Sequence, residues 1–371
     1  MEISSPLAAD AAPVMAAAAF AFGGPVIEVR AHGRGLIHDT FVAHFGPPVA
    51  KAILQRINRR AFDRPELIME NLYTLLEHVD ARGAGGLKFP VPYQTRAGEV
   101  LHTDADGQVW RAMSYIEHTC SYHRPAHVGH AREAGRVLGR FHALVHDLNP
   151  ARMHDTRPDF HHTPRHLERL DAALAQADAG PCGDEVQRWL DFVAERRAGA
   201  DAIEQALASG RIKRQIVHGD PKLDNVLFDE RSDVAVALID LDTVKPGTVH
   251  HDIGDCLRSC CNRAGETADD ASAVRYDADM YRAALEGYFE TAGDTTRDLH
   301  AQDVYQAMRL IPFELGARFL ADHLAGDRYF RIDFPGQNLV RAATQFRLSA
   351  DVERQREEIE EFVAGLIAKV G

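Results

Sequence analysis

Residues His218-Gly219-Asp220-Pro221-Lys222-Leu223-Asp224-Asn225, followed by Ile239-Asp240-Leu241-Asp242, constrain the fold of this chain more than any other stretch. The pattern H-x-D-x-x-x-x-N sets one carboxylate where it can orient a hydroxyl. Five residues on, it sets an amide that can ligate a divalent cation. About 20 residues separate Asp220 from Asp240, the span of two short strands of about 5–6 residues each and a turn. Arg214–Val217 is a short apolar entry to the loop. Asn225–Phe228 and Val234–Ile239 read as strands, with the polar run Asp229–Asp233 as the turn between them. Asp220 and Asn225 then lie on one side of a hairpin, and Asp240 sits where its second strand ends. Phosphoryl transfer needs these parts and little else, because the protein's task there is positioning and charge neutralisation. A hydrated Asp/Asn-rich turn would account for one such motif but not for two in this order and spacing.

Asp252-Ile253-Gly254 resembles the D-F-G triplet of protein kinases, yet it lies 32 residues after Asp220, too far to be the hairpin carboxylate. Asp240 takes that role. Asp252 and Asp255 are expected to orient the catalytic loop or to cap a following helix.

Composition sets bounds on the rest. A chain of 371 residues is long enough for two lobes with separate cores, and 45% hydrophobic residues is ordinary for a globular protein. A net charge of −13 argues against a nucleic-acid partner and makes the nucleotide site a local positive exception, supplied by Mg²⁺ and Lys222. The odd count of five cysteines in a large chain implies no disulfide framework. Cys256, Cys260 and Cys261 near His250 and His251 lack a C-x-x-C pair and read as buried helix thiols rather than a metal site. The Ala-rich start from Ala8 to Phe22 has no basic residue before Arg30, so it reads as a helix ended by Gly23-Gly24 and packed on the first lobe, not as a secretory signal. No apolar run reaches the length of a membrane span, so no membrane partner is expected and the location is expected to be cytoplasmic.

The first lobe, residues 1–113, carries the β signal. Val26–Val29 and Phe41–Phe45 read as strands flanking a turn with Gly33 and Gly35, whose backbone amides could lie over phosphates. Ala52–Ile57 is the next strand. In protein kinases it carries a phosphate-binding lysine, but here Gln55 occupies the corresponding face and Arg56 the other. Asp63–Asp80 reads as an amphipathic helix with no secure glutamate partner. Val109–Glu117 reads as an edge strand running into a hinge over residues 114–122, where Tyr115 and Ile116 offer backbone groups to adenine.

Residues 123–371 read as mainly helical. Ala131–Leu148 has Ala134, Val137, Leu138, Phe141, Leu144 and Val145 at helical spacing. The pair His142 and His146 reads as a helix face beneath the site rather than a metal site. His161, His162 and His166 fit a surface loop and a pocket rim equally. Further helices are expected over Arg188–Leu207, Asp279–Thr291, Val304–Leu324 and Asp351–Val370.

The catalytic loop and its following aspartate resemble the aminoglycoside phosphotransferase and choline kinase superfamily. Within that superfamily the chain is similar to the N-acetylhexosamine 1-kinase family. The segments that carry this are Ala52–Asn58, Tyr115–Tyr122, Ile239–Gly247, Arg318–Asp322, Gly326-Asp327, Tyr329-Phe330 and Asn338–Arg341. The resemblance implies an α+β, bilobal protein-kinase-like fold with a small β-rich N-lobe and a larger helical C-lobe. It implies a small-molecule sugar substrate, with ATP and Mg²⁺ as cofactors. It accounts for Gln55, which the family also has. It makes Asp220 the catalytic carboxylate assisted by Lys222, gives Asn225 and Asp240 to the metal, and brings Asp242, Arg318 and Tyr329 to the sugar. The family places a histidine after the second glycine of the Gly-rich turn. This chain has Leu36 there, with His38 two residues on as the substitute, and His218-Gly219-Asp220 where the family has His-Asn-Asp. The expected activity is phosphorylation of GlcNAc or GalNAc to the sugar 1-phosphate. The alternatives are an aminoglycoside or other small-molecule kinase of the same superfamily, and a nucleotide-binding pseudokinase, which the intact Asp220, Asn225 and Asp240 disfavour.

Overall fold

The computed structural model describes residues 11–33, 37–48, 50–177, 183–268 and 273–370. The chain divides into two compact units, residues 1–70 with 89–117, and residues 71–88 with 118–371. Its fold is the protein-kinase-like fold, with an antiparallel sheet in the first unit and a mainly helical second unit.

The first unit begins with helix α1 (Ala11–Ala18), then strands β1 (Val26–Ala31), β2 (Asp39–Phe45) and β3 (Ala50–Arg56). Helix α2 (Pro65–Arg82) runs from this unit into the second, and β4 (Pro92–Tyr93), β5 (His102–Thr103) and β6 (Val109–Ser114) complete the sheet. The order is β1-β2-β3-β6-β4, with β5 also paired to β6, and every pairing is antiparallel. Strand alternation sends Ala52, Leu54, Trp110 and Ala112 to one face, where they pack under Ala16, Ala17, Phe20 and Phe22. Each fully buried phenylalanine there contributes about 1.5–3 kcal/mol of burial. Gln55 and Arg111, directly opposed across β3 and β6, occupy the other face.

Two expectations for this unit need correction. The strand at Val109 is interior, not an edge, because the two-residue strands β4 and β5 cover its outer side; segments that short leave no period-2 signal in the sequence. The N-terminal helix stops at Ala18, well before Gly23-Gly24. Phe20 bridges to Thr95, and the Ala21 amide donates to the Gln94 carbonyl at 2.9 Å, so sheet pairing ends the helix.

The second unit opens with β7 (Thr119–Cys120), then α3 (Val128–Val145), α4 (Thr163–Gln176), α5 (Asp184–Arg196) and α6 (Ala202–Ala208). Next come β8 (Gln215–Val217), β9 (Val226–Asp229), β10 (Ala235–Leu238), β11 (Lys245–Gly247) and α7 (Val249–Cys260). The chain ends in α8 (Ala278–Thr291), α9 (Ala301–Leu324), α10 (Gln337–Arg354) and α11 (Arg356–Val370). Strands β10, β9 and β7 form one small sheet, and β11 with β8 another. α3 packs along α8 closely enough that a Cβ on Gly135 would lie 1.9 Å from the Ala284 carbonyl oxygen, so glycine sets that approach. Trp189, Phe313, Phe319 and Phe346 anchor a core among α5, α9 and α10.

The single helix expected over Arg188–Leu207 is two, α5 and α6, parted by a 3₁₀ turn at Arg197–Gly199. The helix expected over Asp351–Val370 breaks at Gln355, whose amide turns back to the Asp351 and Val352 carbonyls. Asp351 belongs to α10, which the sequence pattern did not reveal.

Candidate active site

The second unit holds the loop that follows β8. Side chains from the surrounding helices and the following turn fix it. The Asp252 carboxylate, on α7, accepts from the His218 amide at 2.7 Å and the Gly219 amide at 2.9 Å. His142 on α3 meets the same carboxylate through Nε2 at 3.0 Å, and its Nδ1 lies 2.9 Å from the Tyr288 hydroxyl. Asp252 therefore orients the loop, as expected, from inside a helix rather than as its cap. His142 is the buried helix face beneath the site. Thr243 Oγ1 donates to the His218 carbonyl at 2.9 Å. Gly219 has φ +88°, and a Cβ there would lie 2.5 Å from the Thr243 carbonyl oxygen, so only glycine can occupy the bend.

The loop presents a compact charged constellation. Lys222 Nζ donates to Asp220 Oδ2 at 2.7 Å, and Asn225 Nδ2 donates to the same oxygen at 3.1 Å and to the Asp220 carbonyl at 2.8 Å. Asp220 Oδ1 accepts no hydrogen bond among the described residues. Burial would raise the Asp220 carboxyl, but the Lys222 ammonium, His218 and Arg258 outweigh it and hold the group below the usual carboxylate range. Burial would lower Lys222, and the Asp220 and Asp240 carboxylates outweigh that and raise it, so the pair is ionic at neutral pH. His218 donates Nε2–H to the Ile239 carbonyl at 3.1 Å and accepts the Asp220 amide on Nδ1 at 3.3 Å; burial keeps it neutral.

Asn225 spends both amide hydrogens on Asp220. Its Oδ1 accepts nothing among the described residues and is left as a hard oxygen ligand. Asp240 ends the hairpin in the left-handed region (φ 63°, ψ 58°), an uncommon conformation for a non-glycine residue and one that collects at functional sites. Its carboxylate acts electrostatically on both Lys222 and His218. The donor set of one amide oxygen and one carboxylate fits Mg²⁺.

Of the expected substrate residues in this unit, Asp242 is buried in the turn after Asp240. Arg318, on α9, makes no hydrogen bond to protein among the described residues; its guanidinium lies 5.0 Å from the Phe160 ring and 5.7 Å from Phe330. Burial lowers Arg318, and Arg157 adds to that, while Glu314, Tyr329 and Asp220 oppose it. The i, i+4 pair with Asp322 does not form. Asp322 instead accepts the amides of Arg328, Tyr329 and Phe330 at 2.9–3.0 Å and fixes the loop that carries Tyr329. The Tyr329 hydroxyl accepts from Arg157 Nη2 at 2.8 Å.

The remaining expected residues belong to the first unit. Gly33 has φ +73°; Gly35 and Leu36 lie outside the described residues. Gln55 Oε1 accepts two bonds from the buried Arg111, at 2.9 and 2.7 Å, while its Nε2 reaches Thr40 at 3.2 Å. Lys51 Nζ lies 4.9 Å from the Tyr115 ring, next to Ile116. His38 is buried against Phe62 and accepts the Asn58 amide on Nδ1 at 3.0 Å.

Two features escaped the sequence. Asn71 on α2, one helical position from Glu70, donates to the His154 and Val244 carbonyls at 2.8 and 2.9 Å. His127, His130 and Asp233 form a cluster with metal-ligand spacing. In it His130 Nδ1 accepts the Ala126 amide at 3.2 Å, so its Nε2 carries the proton it donates to Asp233 at 2.9 Å. That nitrogen has no lone pair for a metal, and the cluster instead closes the β9–β10 turn, helped by the Tyr122 hydroxyl at 3.0 Å.

A kinase-like fold with a metal-competent, carboxylate-centred loop defines a phosphotransferase. The profile of the phosphotransferase enzyme family (APH) matches residues 28–286, and the chain belongs to that family. Three solved structures share the fold at low identity. One is the aminoglycoside phosphotransferase from Alicyclobacillus acidocaldarius, 16% identical, TM-score 0.61, covering 99% of this chain and 98% of that one. The others are an amicoumacin kinase in complex with AMP-PNP and Ca²⁺ (13% identical, TM-score 0.58, covering 95% and 94%) and a microcompartment-associated aminopropanol kinase (15%, TM-score 0.57, covering 90% and 93%).

Proposed function

We propose that this small-molecule phosphotransferase is an ATP-dependent sugar 1-kinase acting on the anomeric hydroxyl of GlcNAc or GalNAc. The observations that carry the reading are an open Asp220 Oδ1 and, in the same unit, the Arg318 guanidinium, a donor-only group that stacks on Phe160 and Phe330 and has no hydrogen-bonded protein partner among the described residues. A donor-only cation suits the carbonyl and hydroxyl oxygens of a neutral sugar and opposes a polycationic aminoglycoside.

Asp220 Oδ1 accepts the hydrogen bond of the acceptor hydroxyl and takes its proton as the oxygen–phosphorus bond forms and the γ-phosphorus parts from the bridging oxygen that leaves with ADP. Asp220 Oδ2 stays bound to Lys222, which neutralises charge on the transferred phosphoryl group. Asn225 Oδ1 and Asp240 hold the metal; when bound, Mg²⁺ neutralises the nucleotide phosphates. Asp242, Arg318 and Tyr329 contact the sugar. Gly33, Gly35, Gln55 and the backbone of Tyr115 and Ile116 contact ATP.

The test is an ATP-consumption panel of GlcNAc, GalNAc, galactose, kanamycin and choline, with ³¹P NMR to locate the new phosphate. A 1-phosphate of either hexosamine is expected. Losing a charged hydrogen-bond donor costs about 1.5–3 kcal/mol, so Arg318→Ala should raise KM by about ten- to a hundredfold. Turnover of kanamycin or choline with neither hexosamine used overturns the substrate assignment and leaves phosphoryl transfer intact.

A further inference from the structure

We propose that His161 is a positioning residue for the transfer reaction: as an imidazolium it grips the Gly219 carbonyl and ties the Asp220 loop to the helix that carries Arg318. The proposal rests on the reading of Asp220 as the catalytic carboxylate.

The geometry fixes the charge of the ring. His161 Nε2 lies 2.8 Å from the Gly219 carbonyl oxygen, and Nδ1 lies 3.4 Å from Glu314 Oε1. Both neighbours are acceptors only, so both nitrogens must carry hydrogen. Glu314 is buried, and its other oxygen accepts from Thr163 Oγ1 at 3.0 Å. Neighbouring histidines take the opposite state. His166 donates Nε2–H to the Phe160 carbonyl at 2.9 Å and accepts Arg169 on Nδ1, and burial takes it down to about 4. His251, with its ring 5.2 Å from that of His161, is pushed by burial to about 3. His161 is raised instead: burial lowers it, and Glu314, Asp255 and the Gly219 carbonyl outweigh burial. The titratable groups around it are Glu314 from α9, Asp255 and neutral His251 from α7, and neutral His166 from α4, which shares Glu314 Oε1 at 3.5 Å.

The grip matters because the loop has no slack. From His218 to Asp220 every backbone polar group has one partner: Asp252 takes two amides, Thr243 and His161 the carbonyls of His218 and Gly219, His218 Nδ1 the Asp220 amide, and Asn225 Nδ2 the Asp220 carbonyl. His161 is the one holder whose binding form can lose a proton on the alkaline side. A neutral ring keeps one hydrogen bond and turns a lone pair toward either Gly219 O or the Glu314 carboxylate. Glu314 sits one helical turn before Arg318, so the same ring sets the distance between the cation and the catalytic carboxylate. Misplacement of a reacting group by about 1 Å can cost about 10²-fold in rate.

The experiment has two parts on the full chain. ¹⁵N NMR titration of the His161 ring should find both nitrogens protonated at pH 7; a singly protonated ring at pH 6.5 overturns the proposal without reference to activity. Kinetics use Mg·ATP turnover with water as acceptor. His161→Gln should lower kcat at least about tenfold with Mg·ATP affinity within about twofold. Adding Glu314→Gln to it should restore most of the rate, because the two amides can pair, and the double variant should lack the fall in kcat that loss of the His161 proton is expected to cause in the wild type at alkaline pH. Wild-type kcat in His161→Gln, or losses that simply multiply in the double variant, overturns the positioning role. If the wild-type chain turns over no ATP with water or with any acceptor of the panel above, the reading of Asp220 has failed, and the ring titration still decides the imidazolium.

Discussion

Asp252→Asn is the sharpest test of how the His218–Asn225 loop is held. The native carboxylate is fully buried and divides its oxygens: Oδ2 serves the His218 amide and His142, and Oδ1 serves the Gly219 amide. Asparagine keeps the shape but supplies one acceptor oxygen in place of two. His142 can exchange its ring proton to follow the change, but a peptide amide cannot. One backbone N–H therefore faces an NH₂ group. The lost charge-assisted bond is worth about 1.5–3 kcal/mol and the orphaned buried donor about 1–3 kcal/mol, so the local cost is about 3–6 kcal/mol. At about 1.4 kcal/mol per decade, opening of this loop should become about 10²–10⁴-fold more frequent. Hydrogen exchange of the His218 and Gly219 amides reads that quantity directly, apart from global unfolding. The sign with pH follows from the same carboxylate. Burial raises it, but His142, His218 and the Gly219 amide outweigh burial and depress it, so its contribution is present above the unfolded value and is lost as pH falls through the folded one. Protection in Asp252→Asn within about tenfold of the wild type would refute the idea that this carboxylate holds the loop.

Three other outcomes are expected. Asp220→Asn should lower kcat about 10²–10⁴-fold with Mg·ATP affinity nearly unchanged by calorimetry, and near-normal turnover removes Asp220 from its role. Asp240→Ala, or excess EDTA with the wild type, should abolish turnover and weaken nucleotide binding; full activity under either condition contradicts the metal assignment. Glu314 is raised by burial and taken down by His166, His161 and Arg318 to about 2, so its stabilisation is complete above its ordinary value of 4.5 and fades as pH falls from there toward about 2. Urea denaturation should therefore show about 3 kcal/mol of acid-side destabilisation that Glu314→Gln lacks, and equal acid slopes in the two proteins refute it.

The parts of the site that sequence made legible are those within one stretch of chain. From Gln215 to Asp242 the order strand, loop, strand, turn, strand is local. It is set by apolar runs and turn residues, so the hairpin and its three polar termini could be placed from spacing alone. For Asp252 the offset excludes the hairpin role and leaves loop orientation and helix capping open; the His218 and Gly219 amides decide for the first. The two-residue strands β4 and β5 left no periodicity, and so β6 read as an edge. The start of α10 is set by tertiary contacts: Asn338 Nδ2 binds Asp322 at 3.0 Å and Asp327 at 2.8 Å, pairings no local pattern encodes. For the same reason Arg318 and Asp322, a plausible surface ion pair by spacing, separate into a guanidinium over Phe160 and Phe330 and a carboxylate that organises the following loop.

Histidine shows where sequence reading ends and why. His130, His142, His161 and His166 are indistinguishable as letters, and each could be read as a ligand, a core residue or an acid–base group. What separates them is the hydrogen-bond role of the second ring nitrogen. At His130 a backbone amide donates to Nδ1, which commits Nε2–H to Asp233 and removes the ring from metal chemistry. At His166 an arginine donates to Nδ1, and the ring stays neutral beside a carboxylate. At His161 both partners accept, and the ring has to be charged. The three partners, Ala126, Arg169 and Glu314, lie 4, 3 and 153 residues from their histidines. Only the last needs the folded chain to be found, and it is the one that touches the catalytic loop's neighbour.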